Sequence, residues 1–208
     1  MANVDTPFGL KPVRYASGAP YNGATNPYYI QSDYGTALYI GDPVVITGTS
    51  NTAEVSVPSV GTFAPGTLPS INKATAGDGN LITGVIVAFS ANPNDLSKQY
   101  NPASTARVAF VADDPNLLFE IQADSAGALA ATSVGLNAVL IYTHAGSTVT
   151  GLSGAELDTT SDAPDADASN QLTIVRFVNR ADNEIGTHAK VEVRINQHTA
   201  ATGAIGVA

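Results

Sequence analysis

The sequence predicts a mainly-β fold with a β-sandwich or jelly-roll-like core, an extended N-terminal arm and long loops. Two observations lead to this prediction. Short segments alternate apolar and polar residues with the period of two that a half-buried strand requires, and turn-forming residues separate these segments. Charged residues make up 13% of the 208 residues, about half of the roughly 25% typical of soluble domains. This small fraction argues against a charged helical bundle, and 44% apolar residues argue against a disordered chain.

The clearest strand patterns lie in the second half of the chain. Residues 117–122 and 191–195 each place apolar side chains on one face and charged or amide side chains on the other. Residues 81–89 are apolar on both faces, which predicts a strand covered on both sides, by a second sheet or by a neighbouring subunit. Residues 123–134 are Ala-rich but interrupted by Gly127, so a short helix and a packed loop both stay open. The other strand candidates are residues 28–31, 37–40, 44–47, 107–112, 138–142, 147–150 and 171–179.

Composition divides the chain into four stretches. Residues 1–27 carry prolines and tyrosines without periodicity, which predicts an extended arm. Residues 28–80 predict weak strands and a long Gly/Ser/Thr-rich loop region. Within this stretch, residues 47–80 form either a long excursion or one weak hairpin. Residues 81–197 predict the β-sandwich core, with an acidic loop at 156–169. Residues 198–208 predict a flexible tail.

Charge and residue types argue against several classes of function. The net charge is −9 and the nine basic residues are scattered, whereas binding nucleic-acid phosphates requires clustered Lys and Arg. The absence of cysteine excludes disulfides and thiolate metal sites. The first residues lack the basic and apolar regions of a signal peptide, and no apolar run reaches the ~18 residues of a membrane span. We therefore expect a protein made in a cytoplasm, with no nucleic-acid or membrane partner.

No catalytic constellation stands out, so we predict that the protein is not an enzyme and binds no cofactor. The segment around Ser153 falls short of a nucleophile elbow, because Ala155 occupies the place of the last glycine. Ser153 is therefore interpreted as a turn residue. His144, His188 and His198 form no short-spaced pair of the kind that a histidine metal site usually has. They are interpreted as structural or solvent-facing.

Four aspartates concentrate in or at the edge of the acidic loop. Carboxylates are hard ligands of the kind that Ca²⁺ prefers. However, an EF-hand loop starting at Asp165 would need Gly at the position of Asn170 and Glu at the position of Arg176. The pattern therefore favours a solvated loop, and no metal site is predicted. The aspartates are Asp158, Asp162, Asp165 and Asp167.

Aromatic side chains near the N-terminus are the candidate partner-contact residues. A tyrosine combines a large apolar ring with a polar tip, which suits a contact surface. Two interpretations stay open: an N-terminal region that docks on a partner, or a strand edge with exposed rings. The candidates are Phe8, Tyr15, Tyr21, Tyr28, Tyr29 and Tyr34.

Several blocks of the sequence resemble a known family. Residues 2–14 (ANVDTPFGLKPVR), followed by 18–23 (GAPYNG), resemble the start of capsid decoration, or cement, proteins of tailed bacteriophages. The blocks 112–124 (ADDPNLLFEIQAD) and 134–138 (VGLNA), and the ending 191–198 (VEVRINQH), are similar to the same group. The matching motifs are structural, and the family offers no catalytic residues to carry over.

The resemblance implies a β-rich protein on the outer surface of an icosahedral virion. Such a protein is made in the host cytoplasm, binds the shell and clamps neighbouring subunits of the major capsid protein. It would also contact itself as a homo-oligomer, with a trimer favoured and a dimer as the nearest variant. Two other hypotheses remain. One is a receptor- or carbohydrate-binding β module of a phage tail or adhesin. The other is a hydrolase or other enzyme that uses His188 beside Asp182 or Glu184, together with a serine.

Overall fold

In the computed structural model, which describes residues 3–58, 60–92 and 95–201, the regular secondary structure is almost all β-strand, connected by turns and loops. This confirms the mainly-β prediction. Within the described residues, the helical element is the 3₁₀-helix Ala131–Ser133, which lies in the stretch for which a short helix or a packed loop was expected. No helix in this part of the chain has the length and apolar character to cross a membrane.

Nine of the fourteen strands in the described residues overlap a strand candidate of the sequence. The strands are β1 (Lys11–Tyr15), β2 (Asn26–Ile30), β3 (Pro43–Ser50), β4 (Val55–Val57), β5 (Gly61–Phe63), β6 (Pro69–Lys73), β7 (Gly84–Phe89), β8 (Arg107–Ala112), β9 (Leu117–Gln122), β10 (Asn137–Ala138), β11 (Leu140–Ile141), β12 (Glu156–Leu157), β13 (Leu172–Phe177) and β14 (Lys190–Ile195). Two strand candidates are wrong. Residues 37–40 make isolated bridges through Leu38 and Ile40, and residues 148–150 form a turn.

Two larger sheets make up the fold, where the sequence predicted a sandwich or jelly roll. β2, β6, β3, β7 and β8 close into a barrel in that order, with β2 and β6 parallel and the other pairs antiparallel. The second sheet is antiparallel and has the order β1-β9-β14-β13-β10. Two-stranded pairs β4–β5 and β11–β12 complete the arrangement.

The barrel uses one continuous stretch of chain, residues 26–112, and the sheet uses strands from both sides of it. The predicted boundary at residue 80 therefore falls inside the barrel. β3, which contains the weak strand candidate 44–47, pairs with β6, which lies in the predicted loop region, and β3 also pairs with β7. The loop region between β3 and β6 contains the β4–β5 hairpin, which is the weak hairpin of the two expected alternatives.

β7 is covered on both faces, as its sequence predicted. Val85 belongs to the apolar cluster that also contains Phe119 and Val193 of the sheet. Its neighbour Ile86 belongs to the cluster inside the barrel, together with Ile71. The second sheet of the same chain thus covers the outer face of β7.

The polar face of the sheet is more buried than the alternating pattern predicted. Arg14 Nη2 and Arg176 Nη2 lie 2.6 Å and 3.0 Å from the two carboxylate oxygens of Glu192. Burial alone raises the pKa of Glu192, but the hydrogen bonds and charges of both arginines outweigh burial and hold it below its ordinary value. Glu120 and Gln122 are also buried.

Part of the predicted N-terminal arm is integrated into the fold. Residues 11–15 form β1, which pairs with β9 at the edge of the sheet. Upstream, Gln122 Nε2 donates to the carbonyl of Val4 at 2.7 Å, and the N–H of Thr6 donates to Gln122 Oε1 at 2.9 Å. These hydrogen bonds fix the segment on its own chain, because a buried amide needs partners.

The predicted flexible tail begins with an ordered turn. His198 is 3% exposed. The N–H of Ile82 donates to the carbonyl of Gln197, and the N–H of Thr199 donates to the carbonyl of Ile82. Residues 198–201 are therefore part of the fold, and residues 202–208 of the predicted tail lie outside the described residues.

Two glycines allow the N-terminal segment to approach the barrel closely. Gly9 and Gly41 both have positive φ, at 73° and 91°. A Cβ at Gly9 would lie 2.4 Å from the carbonyl oxygen of Gly41, and a Cβ at Gly41 would lie 2.4 Å from that of Phe8. Glycine is required here by both backbone conformation and space.

Candidate functional site

One candidate site is an open groove of about 580 Å³ between the barrel and the sheet. We call it the junction groove. Apolar and aromatic residues line much of it, two of them (Leu10 and Ile86) almost fully buried, and charged residues of both signs lie among them. The apolar and aromatic residues are Phe8, Leu10, Pro12, Tyr21, Ile40, Ile86, Val87 and Leu152, and the charged residues are Lys11, Glu120, Arg180, Asp182 and Lys190.

Phe8 and Tyr21 reach the groove because the chain around them is tied to both halves. Leu10, which follows Gly9 in the chain, donates its N–H to the carbonyl of Gly41 at 2.9 Å. Tyr21 follows β1, and its N–H donates to the carbonyl of Val13 at 3.1 Å. The Tyr21 hydroxyl donates to the carbonyl of Ala24 at 3.0 Å, which holds the ring in place.

Charged side chains at the groove form an ion-paired network. Arg180 Nη1 lies 2.9 Å from Glu120 Oε1, and Arg180 Nε lies 3.2 Å from Asp182 Oδ1. Lys11 and Lys190 stand beside the same groove. An apolar surface flanked by paired charges offers contact area at its centre and polar groups at its edge that can fix the orientation of a bound molecule.

The six candidate contact residues do not gather in one patch. All six are half-buried, and Phe8 and Tyr21 line the junction groove. The other four pack against the clusters of buried apolar side chains: Tyr15 against the layer between the barrel and the sheet, Tyr28 and Tyr34 against the barrel interior, and Tyr29 against a smaller cluster beside it. Contact of any of the six with a partner stays a prediction.

Two of these tyrosines have internal hydrogen bonds. The Tyr28 hydroxyl donates to Asp113 Oδ2 at 2.7 Å, and burial together with that carboxylate raises the pKa of Tyr28. The Tyr34 hydroxyl accepts the N–H of Lys73 at 3.0 Å. Both side chains therefore stabilise the barrel through their polar tips as well as their rings.

Ser153 lies in a buried network, away from the surface. It is 1% exposed, and its hydroxyl donates to Asp42 Oδ1 at 2.5 Å while accepting the N–H of Ala155 at 3.0 Å. Lys73 Nζ lies 3.1 Å from the same Asp42 oxygen. A hydroxyl held in this way stabilises the chain where the N-terminal segment meets the barrel.

The aspartates of the acidic loop mostly close turns. Asp158 Oδ1 accepts two backbone N–H groups, and Asp165 Oδ1 and Asp167 Oδ1 accept one each, the pattern of Asx turns. Asp162 differs, because burial and then the hydrogen bond and charge of Asp78 raise its pKa to about 6. Asp78 lies in the connection between β6 and β7 of the barrel. The contact between Asp78 and Asp162 is therefore a contact between that connection and the acidic loop.

Two of the three histidines meet the same carboxylate, which the sequence did not predict. His144 Nε2 lies 3.7 Å from Asp5 Oδ2, and His188 Nδ1 lies 3.8 Å from Asp5 Oδ1. Nδ1 of His144 also lies 2.9 Å from Glu156 Oε2, and this hydrogen bond raises the pKa of His144. No spacing rule could predict these contacts, because the residues are distant in the chain. His198 stands apart, and burial lowers its pKa.

No protein-family model, no curated protein and no solved structure matches the chain. The chemistry of the junction groove and of the histidine cluster is therefore interpreted from the side chains themselves.

Proposed function

We propose that this chain is a structural protein of a phage virion, which binds the outer surface of the icosahedral head and clamps neighbouring subunits of the major capsid protein. The observation that carries the proposal is the junction groove, an open and largely apolar surface between the barrel and the sheet with charged side chains at its edge. The sequence blocks similar to capsid decoration proteins support the same role.

The groove suits a protein partner because little of it has to be ordered on binding. Most of its lining comes from β1, β7, β9, β14 and the segments that lead into β1 and β3, which are hydrogen-bonded within the fold. Tyr21, Leu152, Arg180 and Asp182 line it from the connecting loops. A preformed surface loses less conformational entropy on association, and therefore more of the buried area contributes to affinity. The occupant that fits is a surface segment of the capsid subunit with an apolar side chain and flanking charges.

Repetition on a shell also favours this role. A modest groove gives modest affinity, but a homo-oligomer makes its second and third contacts intramolecularly, which multiplies the total affinity. A trimer over a three-fold position of the shell is the arrangement that we favour. Light scattering of the purified chain measures this directly, and a strict monomer that never binds shells would end the proposal.

A charge placed in the groove tests its role in shell binding. Leu152 lines the groove and is 37% exposed, whereas Val149 is 89% exposed and lies outside the groove lining. In co-sedimentation with shells that lack the protein, Leu152→Glu should weaken binding at least tenfold, because it places an unpaired charge on an apolar contact. Val149→Glu, a matched control in the same loop, should bind as the wild type does. Equal binding by all three proteins would remove the groove from the contact.

The alternative is a receptor- or carbohydrate-binding module, and the same groove is its most suitable site. Phe8 and Tyr21 offer ring faces, and Glu120, Arg180 and Asp182 offer polar groups near them. Binding to a glycan array that Leu152→Glu abolishes, without affinity for shells, would favour this alternative over the decoration role.

A further inference from the structure

A second candidate site lies where the N-terminal segment crosses the loop after β11. Asp5, His144 and Glu156 each present one ligand atom, and these atoms all lie within 4.8 Å of one another. Asp5 comes from the segment before β1, His144 follows β11, and Glu156 begins β12. Three separate parts of the chain therefore bring one imidazole and two carboxylates together.

Glu156 is the buried member of this cluster, and only one of its two carboxylate oxygens is hydrogen-bonded within the described residues. Its side chain is fully buried, yet Oε1 has no hydrogen-bond partner among the described residues. Oε2 accepts the hydroxyl of Thr143 at 2.5 Å and lies 2.9 Å from His144 Nδ1. A buried carboxylate oxygen with no partner is costly, and a bound cation is one way of satisfying it.

The spacing within the cluster is close to that of ligands sharing a metal ion. Two ligands at ~2.0–2.1 Å from a tetrahedral ion lie roughly 3.3–3.4 Å apart. His144 Nδ1 and Glu156 Oε2 are 2.9 Å apart, and one ligand atom from each of the three residues lies within 4.8 Å of the others. Small side-chain movements would therefore bring all three to bonding distance of an ion that takes the place of the proton between His144 Nδ1 and Glu156. A second imidazole lies beside Asp5. Nδ1 of His188 is 3.8 Å from Asp5 Oδ1, and this buried nitrogen has no hydrogen-bond partner among the described residues.

We propose that Asp5, His144 and Glu156 bind a divalent transition-metal ion of the Zn²⁺ class. Imidazole nitrogen favours such ions over Ca²⁺ and Mg²⁺, which prefer oxygen ligands alone. The side chains of His144 and Asp5 are 45% and 38% exposed, so an ion can enter from solvent, while Glu156 forms the closed end of the site. The ion would fasten the N-terminal segment to β12, three residues before Phe8 enters the junction groove. This site is independent of the proposed function, because it needs no shell.

Metal binding by the purified full-length chain tests the proposal. After dialysis against a chelator, isothermal titration with ZnCl₂ should give one equivalent bound. Co²⁺ should give the visible absorption of a low-symmetry site with nitrogen and oxygen ligands. The melting temperature should rise with added Zn²⁺, since an ion that binds the folded state stabilises it.

Variants of the exposed ligands decide whether the ion binds at this cluster. Asp5→Asn and His144→Ala should each lower Zn²⁺ affinity at least tenfold and remove the melting shift. Asp33→Asn, which changes an exposed carboxylate after β2, should leave both unchanged. Circular dichroism confirms that each variant is folded. Absence of stoichiometric binding to the wild type, or equal affinity in folded Asp5→Asn and His144→Ala, would overturn the site.

Discussion

The interior of the barrel and the layer between the barrel and the sheet differ in size and origin. Among the described residues, the barrel cluster has seven buried apolar side chains, all from residues 30–111. The layer cluster has nineteen, which run from Leu10 to Ile195 and include Val85 and Ala112 of the barrel wall. The larger apolar core therefore belongs to neither sheet alone but lies between them.

This difference indicates which contacts hold the molecule together. A closed barrel satisfies its own backbone hydrogen bonds, yet its interior here is small and offers limited apolar burial. The shared layer buries the outer face of β7 and the inner face of β9 and β14 together. We infer that the two halves stabilise each other and unfold as one unit.

The largest effect is expected from truncation in the shared layer. Phe119 is fully buried there, and Phe119→Ala should lower the free energy of unfolding by about 3–5 kcal/mol. Ile71, fully buried in the barrel, should cost about 2–4 kcal/mol when replaced by Ala. Urea unfolding followed by circular dichroism measures both. If the barrel and the sheet unfold together, both variants shift a single transition to lower urea concentration. Two separate transitions would show that the two halves unfold independently.

The glycine contact between the N-terminal segment and the barrel should give an intermediate effect. Gly9→Ala combines a positive φ with a Cβ that would overlap Gly41 and Ser153, and it should cost about 2–4 kcal/mol. Gly18→Ala is the matched control, because Gly18 also has positive φ but nothing lies within 4 Å of its Cβ position. Thermal melting should show a smaller loss for Gly18→Ala. Equal losses would mean that the close approach contributes nothing.

The smallest effect concerns Asp162 and Asp78, where the barrel stretch meets the acidic loop. The pKa of Asp162 is raised to about 6 in the folded state, above its ordinary value of 3.8. A carboxyl with a raised pKa favours folding below pH 3.8, and that contribution is lost as the pH rises through about 6. Asp162→Asn should therefore stabilise the protein above pH 6, by less than about 1 kcal/mol because solvent screens this site.

Melting temperatures of Asp162→Asn and the wild type at pH 4 and pH 8 measure this contribution. The difference between the two proteins should appear at pH 8 and shrink at pH 4. Asp167→Asn is a suitable comparison, because Asp167 is exposed and its pKa is lowered by hydrogen bonds from Ser169. A gain for Asp162→Asn that does not depend on pH would contradict the repulsion between the carboxylates.

Local patterns predicted much of the strand content. β9 has the bounds that alternation predicted, β8 has the bounds of a strand candidate, and β7 has both faces covered. Other features were not predictable in this way. Gln122 is buried because it binds the segment around Thr6, 116 positions away, and no local pattern encodes such a partner.

The candidate site was predicted only in part. Phe8 and Tyr21 line the junction groove, whereas Tyr28 and Tyr34 pack against the barrel interior. Side-chain chemistry suggested contact surfaces for all of them, but it could not distinguish an aromatic ring that covers a core from one that lines a groove. That distinction depends on which strand lies beside each ring.

By itself, the sequence determined the class of secondary structure, because a period of two is a property of neighbouring residues. It also determined the lack of thiol chemistry, since the chain has no cysteine. Only the tertiary structure decided that β2 and β6 close a barrel, that a groove opens beside it, and that Asp5 meets His144 and Glu156. These arrangements require pairing between distant segments, whose free energy depends on the whole packed layer rather than on any local stretch of chain.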